Sequence, residues 1–413
     1  MSASRSRVAV TGLGTVNPLG GDVASTWNAA LAGTSTARTL ENDWKERYGL
    51  AVDFACQIAI DPFEHLARPE AKKLDPSGQY SMIAAREAWA DAGTPDVDPT
   101  RLGVVVGTGI GGVWTILDQW DVVRERGARR VNPFTVPMLM ANSSSAHIEI
   151  ELGARAGAHT PVSACASGAE AVAGGMDMIR SGRADVVVVG GTEACVHPLP
   201  LAGFANIRAL SPRVDDPEHA SRPYDVDRDG FVLGEGAAIL VLESEEHAAA
   251  RGARVYAYAS GRGMASDAYH ISAPSLEGQS RAVREAVTDG DVAPADVVHV
   301  NAHGTSTPLG DISELNAVSD ALDGVTDQLV VTSTKSMTGH LLGGAGALES
   351  VFSVLASHHR VSPPTINIEN LDPEVSLNVA QNKPVDLPGG DIAVLNNAFG
   401  FGGHDVAVLF TSA

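Results

Sequence analysis

Residues 184–191 read ADVVVVGG, four valines between an aspartate and two glycines. β-branched side chains favour extended backbone, and an unbroken apolar run leaves a strand no face for water. Such a strand belongs in a sheet covered by helices on both sides. The same pattern recurs outward along the chain, in RVAVTG (7–12), RLGVVVGTG (101–109), AAILVLE (237–243), ADVVHVNAHG (295–304), QLVVTSTK (328–335) and DIAVLNNAFG (391–400). Between several of these runs lie helical patterns: SMIAAREAWADAG (81–93), GQSRAVREAVTDG (278–290) and GALESVFSVLASHH (346–359). Buried strands alternating with helices predict an α/β fold. No Pro/Gly/Ser-rich linker or low-complexity tract interrupts the chain, so one compact body is expected.

Two halves show a faint likeness. VVVGTG (104–109) and VVHVNAHGT (297–305) each set a Gly/Thr turn after a buried strand. The segments around Cys165 and His340 each place a reactive side chain before a run of small residues. A duplicated βαβ body follows as one reading of this pattern.

At 413 residues the chain can bury a large core, as two domains or one duplicated one. Its 44% hydrophobic and 19% charged residues fit a globular protein and exclude disorder or a coiled coil. A net charge of −21 argues against binding nucleic acid over a wide surface. Cys56, Cys165 and Cys195 are too scattered for a disulfide framework or a Cys-x-x-Cys metal site, which points to a reducing compartment. The start, MSASRSRVAVTGLG, lacks a long apolar stretch, and no run of 18 apolar residues occurs, so a cytoplasmic protein is expected.

Two motifs mislead. Gly107 to Gly112 (GTGIGG) satisfies the dinucleotide pattern G-x-G-x-x-G, but the next segment, 113–130, reads as a helix rather than a strand ending in a ribose-binding acid. Asp225 to Gly230 (DVDRDG) imitates the start of a calcium loop. The required acid falls on Gly236, with Glu235 one place short.

The polar residues at strand ends carry more. Ser163 is positioned to cap a helix with Cys165 in its first turn, where free amides and the positive dipole end would lower the thiol pKa and could hold an oxyanion. The alternative, a small packed thiol, stays open on this segment alone. His303 follows the strand 297–300, and His340 sits between a strand and a helix with Lys335 close by in sequence. Lone histidines are usually structural. Two of them, with a lysine and a helix-start cysteine, suit carbonyl chemistry better.

These stretches resemble one family along essentially the whole chain. VTGLGTVNPLG (10–20), GTGIGG (107–112), SACASGAEA (163–171), DRDGFVLGEGA (227–237), SDAYHISAP (266–274), NAHGTSTPLGD (301–311), KSMTGHLLGGAGALES (335–350) and FGFGGHD (399–405) are similar to motifs of the bacterial beta-ketoacyl-[acyl-carrier-protein] synthases, in the family's order and nearest its type II branch. The resemblance implies a thiolase fold, two similar halves (1–250 and 251–413) in a five-layer αβαβα body. It implies that Cys165 holds an acyl group as a thioester, with the amides of Cys165 and Phe401 as oxyanion hole and Phe401 as a gate. His303 and His340 would promote decarboxylation of a malonyl group, and Lys335, with Glu314 as expected partner, would tune their charge. Ile110, Phe231, Thr305, Thr307, Phe399 and Gly400 form the expected substrate-binding set, the threonines holding a phosphopantetheine arm.

No metal or redox cofactor is required by that chemistry, although the resemblance leaves room for a structural monovalent cation near Asn301, Glu349, Asn396 and Asn397. The implied partner is an acidic acyl carrier protein, to be met by local basic clusters: Arg68, Lys72 and Lys73; Arg124, Arg126, Arg129 and Arg130; and Arg208. A homodimer is implied too. The chain departs from the family at Asp405, where asparagine is common, at Asn396, where serine is frequent, and at Ala166. Competing readings are a polyketide-type ketosynthase, a non-condensing partner subunit, a thiolase and a cysteine hydrolase. A non-condensing subunit would lack the nucleophile. A thiolase would want a second cysteine in the C-terminal half, and none lies beyond position 195. A hydrolase gives no reason for two histidines beside the pantetheine threonines.

Overall fold

The computed structural model describes residues 6–413. Eleven strands among them join in one array: β1 (Val8–Val16), β2 (Leu102–Gly107), β3 (Gly157–His159), β4 (Val186–Glu193), β5 (Gly236–Ser244), β6 (Ala257–Ser266), β7 (Val297–Asn301), β8 (Val330–Thr332), β9 (Asn378–Val379), β10 (Ala393–Gly400) and β11 (His404–Ser412). Their spatial order is β9-β8-β7-β10-β11-β6-β1-β5-β4-β2-β3. In the first half β3, β2 and β4 run parallel, β5 is antiparallel to β4, and β1 is antiparallel to β5. In the second, β8, β7 and β10 run parallel, β11 is antiparallel to β10, and β6 is antiparallel to β11. The five strands of the first half match five of the second strand for strand, β9 adding an edge strand beside β8, and the two sheets meet where β1 pairs with β6 at Ala9 and Val10. The faint repeat in the sequence is a duplicated fold.

The helices of ten residues or more are α1 (Pro76–Asp91), α2 (Val113–Arg126), α3 (Ser143–Leu152), α4 (Ser167–Arg180), α5 (Leu276–Asp289), α6 (Pro308–Ala321) and α7 (Ala345–His359). Helix α1, with α3 beside it, covers the outside of the first sheet, α5 covers the outside of the second with α6 packed on it, and α4 and α7 lie between the sheets. That is the five-layer αβαβα order. The valine run shows why: Val187 and Val189 pack into the central layer with Ala171 and Val351, while Val186 and Val188 pack outward with Ala84 and Ala88. Each valine so buried contributes about 1.5–3 kcal/mol.

Small residues in the central layer have a geometric cause. A Cβ on Gly168 would stand 2.6 Å from the Ala347 amide nitrogen, and one on Gly346 would stand 2.8 Å from that of Ala169. Helices α4 and α7 therefore meet backbone to backbone at their first turns, which brings the segments just before them, those of Cys165 and His340, side by side.

Candidate active site

Cys165 is buried in a 3-10 turn, Ala164–Ala166, and α4 begins only at Ser167. Ala164 holds a φ of 52°, left-handed backbone that a non-glycine residue adopts at a cost and that aims the next side chain out of the helix line. Ser163 does not cap this turn, and its buried hydroxyl has no partner. The expectation of a lowered thiol pKa is overturned as well. Burial pushes Cys165 up to about 12, while Lys335 and the Phe401 amide, which donates to the sulfur, pull down and lose. Desolvation wins because the thiolate would lose more hydration than one amide and one ammonium return.

A neutral thiol needs a base to attack a carbonyl, and one is in contact: His340 Nε2 lies 3.0 Å from Cys165 Sγ. The His303 ring stands edge-on to His340 at 5.3 Å, with Phe231 on another side of His340 at 5.3 Å and Phe399 beside His303 at 6.0 Å. Burial, reinforced by the Lys335 charge, holds both imidazoles well below their usual range. Both rings are therefore neutral at pH 7, each with one nitrogen able to accept and one able to donate.

Lys335 is buried and paired with Glu349, not with Glu314 as expected from sequence. Glu314 instead accepts the amides of His303 and Gly304, both at 2.8 Å, and the Asn397 side-chain amide at 3.1 Å. It fixes the loop that presents His303. The buried Glu193 does the same on the other side, accepting the amides of Gly109 (2.6 Å) and Gly343 (3.1 Å) and the Thr108 hydroxyl (3.0 Å). In the G-x-G-x-x-G turn the Gly109 amide is thus taken by a carboxylate and the Gly111 amide by the Thr108 hydroxyl, not left free for a phosphate. The calcium-like DVDRDG stretch is likewise structural: Arg228 binds the carbonyls of Thr307 and Pro308 and shapes the threonine loop.

Of the expected substrate residues, Phe231, Phe399 and Gly400 gather around Cys165 and the two histidines. Thr305 and Thr307, half-buried, face each other at 3.3 Å just past His303. Gly400 closes on the nucleophile's turn, since a Cβ there would stand 2.6 Å from Ser163 O and 3.3 Å from Cys165 N. Phe231 is buried against Phe204, and Ile110 and Phe401 are exposed. Arg68, Lys72, Lys73, Arg124, Arg126, Arg129, Arg130 and Arg208 are all exposed. Lys73 lies 5.2 Å over the Phe134 ring, which draws its cluster toward the 124–130 cluster, and Arg208 precedes Ala209, whose carbonyl binds the Phe231 amide.

Of the residues named for a cation, Asn301 and Asn396 lie abreast on β7 and β10. Asn396 donates to Gly346 O and Ser350 on α7, which also carries Glu349, leaving Asn396 Oδ1 and Glu349 Oε2 buried without partners. Those oxygens suit a small cation. Asn397 points to the opposite face of β10, toward Glu314, as strand alternation requires. Glu193 and the Lys335–Glu349 pair were not legible as parts of the site. The one signal for Glu193 was an acid closing an otherwise apolar strand.

Residues 5–248 of the chain match the family description "Beta-ketoacyl synthase, N-terminal domain" and residues 256–369 "Beta-ketoacyl synthase, C-terminal domain". It is 42% identical over 407 residues to the 3-oxoacyl-[acyl-carrier-protein] synthase 2 of Mycobacterium tuberculosis (strain ATCC 25618 / H37Rv), covering 98% of this chain and 96% of the relative. It is 42% identical over 410 residues to that of Staphylococcus aureus (strain N315), covering 98% of each. Among solved structures it is similar to a type II PKS ketosynthase in complex with its acyl-carrier protein, with a TM-score of 0.90 and 30% identity over 99% of this chain and 100% of that one. With the cysteine, the two histidines and both matching halves in one body, the chain belongs to the beta-ketoacyl synthase family.

Proposed function

We propose that this chain is a 3-oxoacyl-[acyl-carrier-protein] synthase of fatty acid biosynthesis, which condenses an acyl chain held on Cys165 with malonyl-acyl carrier protein. The carrying observation is the contact of His340 Nε2 with Cys165 Sγ at 3.0 Å, with His303 alongside. In the first half-reaction the sulfur attacks the thioester carbon of the acyl-carrier protein. Its proton passes through His340 to the departing pantetheine sulfur, and the amides of Cys165 and Phe401 hold the oxyanion. In the second, the malonyl carboxylate leaves as CO2 and its electron pair forms an enolate, which neutral His303 and His340 stabilise by donating N–H bonds. The enolate carbon attacks the Cys165 thioester, the sulfur leaves, and one proton is taken up to restore the thiol. Release of CO2 drives the condensation.

Thr305 and Thr307 hold the pantetheine arm, and Ile110, Phe231, Phe399 and Gly400 shape the acyl site. The exposed arginines and lysines meet the acidic carrier protein, which a chain of net charge −21 otherwise repels. A cation held by Asn301, Glu349 and Asn396 would neutralise the unpaired oxygens there and take no part in the steps. A homodimer is supported by the edge strand β3 and by exposed Ile150 and Val162 close to it in sequence, apolar side chains that water covers poorly. Among the described residues no helix is long and apolar enough to cross a membrane. The free thiols Cys56, Cys165 and Cys195 suit the cytoplasm.

The test is to incubate the enzyme with a panel of acyl-carrier proteins and malonyl-carrier protein and to weigh the products. A gain of two carbons, with an acyl adduct on Cys165 and none on Cys56 or Cys195, supports the reading. Equal elongation by Cys165→Ala would overturn it.

A further inference from the structure

The last hairpin carries the departure at Asp405, and the structure gives that acid a partner. Strands β10 and β11 are joined by the turn Phe401–Gly403, with Phe399 opposite Asp405 and Gly400 opposite His404. Two backbone bonds fasten this turn to the loop after β6: Gly402 N–H donates to Ile271 O at 2.7 Å and Asp267 N–H to Gly403 O at 2.9 Å. Asp405 is only 2% exposed, and its side chain meets that of Asp267, just after β6, over the start of α5. A Cβ on Gly278 there would stand 1.9 Å from Asp267 Oδ1 and 2.6 Å from Asp405 Oδ2. Both of these oxygens are buried, and neither has a hydrogen-bond partner other than the facing carboxyl group.

Two carboxyl groups set this close in a dry site cannot both ionise without strong repulsion, so they share one proton. The groups acting on Asp405 agree. Burial first, and Asp267 next, push it up to about 8, with Glu314 on α6 adding to the rise, while Arg281 on α5 pulls the other way. Arg281 is itself exposed and donates to Ser266 O, so its charge is largely screened.

We propose that Asp405 is a positioning residue, whose proton shared with Asp267 holds the Phe401–Gly403 turn closed so that the Phe401 amide stays on Cys165. This rests on the reading that the Phe401 amide serves the acyl group on Cys165. When the shared proton leaves, two adjacent carboxylates repel across the joint between the turn and the 267–271 loop, and the amide is released. An asparagine at 405 hands Asp267 an N–H and needs no shared proton, so the chain's departure from the family motif couples this turn to pH.

The experiment measures acyl transfer from an acyl-carrier protein to Cys165 by intact mass, from pH 6 to 10, in the full-length enzyme and in Asp405→Asn and Asp267→Asn, each normalised to its own plateau. The wild-type rate is expected to fall about tenfold per pH unit above pH 8. Both asparagine variants are expected to shift that fall upward by at least one unit. The same alkaline limb in all three overturns the proposal. A second readout is independent of catalysis: amide hydrogen exchange of residues 398–406 at pH 9 is expected to be several-fold faster in wild type than in Asp405→Asn, and equal exchange overturns it. Should the wild type form no adduct at any pH, the proposed function fails while the exchange comparison still decides the role of Asp405.

Discussion

Gly400→Ala is a small change placed where the end of β10 touches the turn that carries Cys165. The added methyl would stand 2.6 Å from Ser163 O, short of an ordinary contact of 3.4 Å by 0.8 Å. Every atom it meets closely is backbone, so no rotamer change relieves the clash, and the end of β10 must retreat by most of that distance. Overpacking of this kind costs about 1–3 kcal/mol. The functional cost is separate. Phe401 is the next residue, and its amide donates to Cys165 Sγ. Removing an oxyanion donor outright lowers kcat by about 10²–10³, so a displaced donor should cost roughly tenfold to a hundredfold. The assay pairs urea denaturation with the rate of acyl adduct formation on Cys165. Gly389→Ala, with no atom within 4 Å of the new Cβ, supplies the control. A Gly400→Ala protein that acylates at the wild-type rate, or one whose rate loss is matched by Gly389→Ala, refutes the argument.

Lys335→Met strands Glu349 in the core and should destabilise the protein by about 3–5 kcal/mol in urea melts, whereas Lys335→Met with Glu349→Leu should recover most of that loss. If the double variant is as unstable as the single one, the pair is not what stabilises this layer. Arg129→Glu with Arg130→Glu should raise KM for the acyl-carrier protein severalfold, most at low salt, with kcat little changed; an unchanged KM removes these arginines from the docking surface.

Most of the fold was legible in one dimension because burial on both faces writes itself into a strand as unbroken valine, as at 186–189. Reactive residues were legible because they stand at strand ends: Cys165, His303 and His340 each follow a strand and precede a helix. The environment of those residues was not. The thiol at a helix start reads as acidic, yet the enclosure that makes it neutral comes from Phe231 and Leu342 of distant segments. Glu314 was the expected partner for Lys335 along the chain. Only the meeting of α7 with the central layer puts Glu349 on the lysine and leaves Glu314 to the His303 loop.

The sequence by itself determined the alternation of buried strands and helices, the duplicated grammar, and which side chains could do chemistry, since these depend on local pattern and residue type. The tertiary structure alone decided that Gly168 and Gly346 let two helices touch, that a neutral thiol therefore meets a neutral imidazole at 3.0 Å, and that Asp405 finds a second carboxyl group. Solvation and pairing are properties of what surrounds a group in space, and the partners found here, His340 for Cys165 and Asp267 for Asp405, are more than a hundred positions away along the chain.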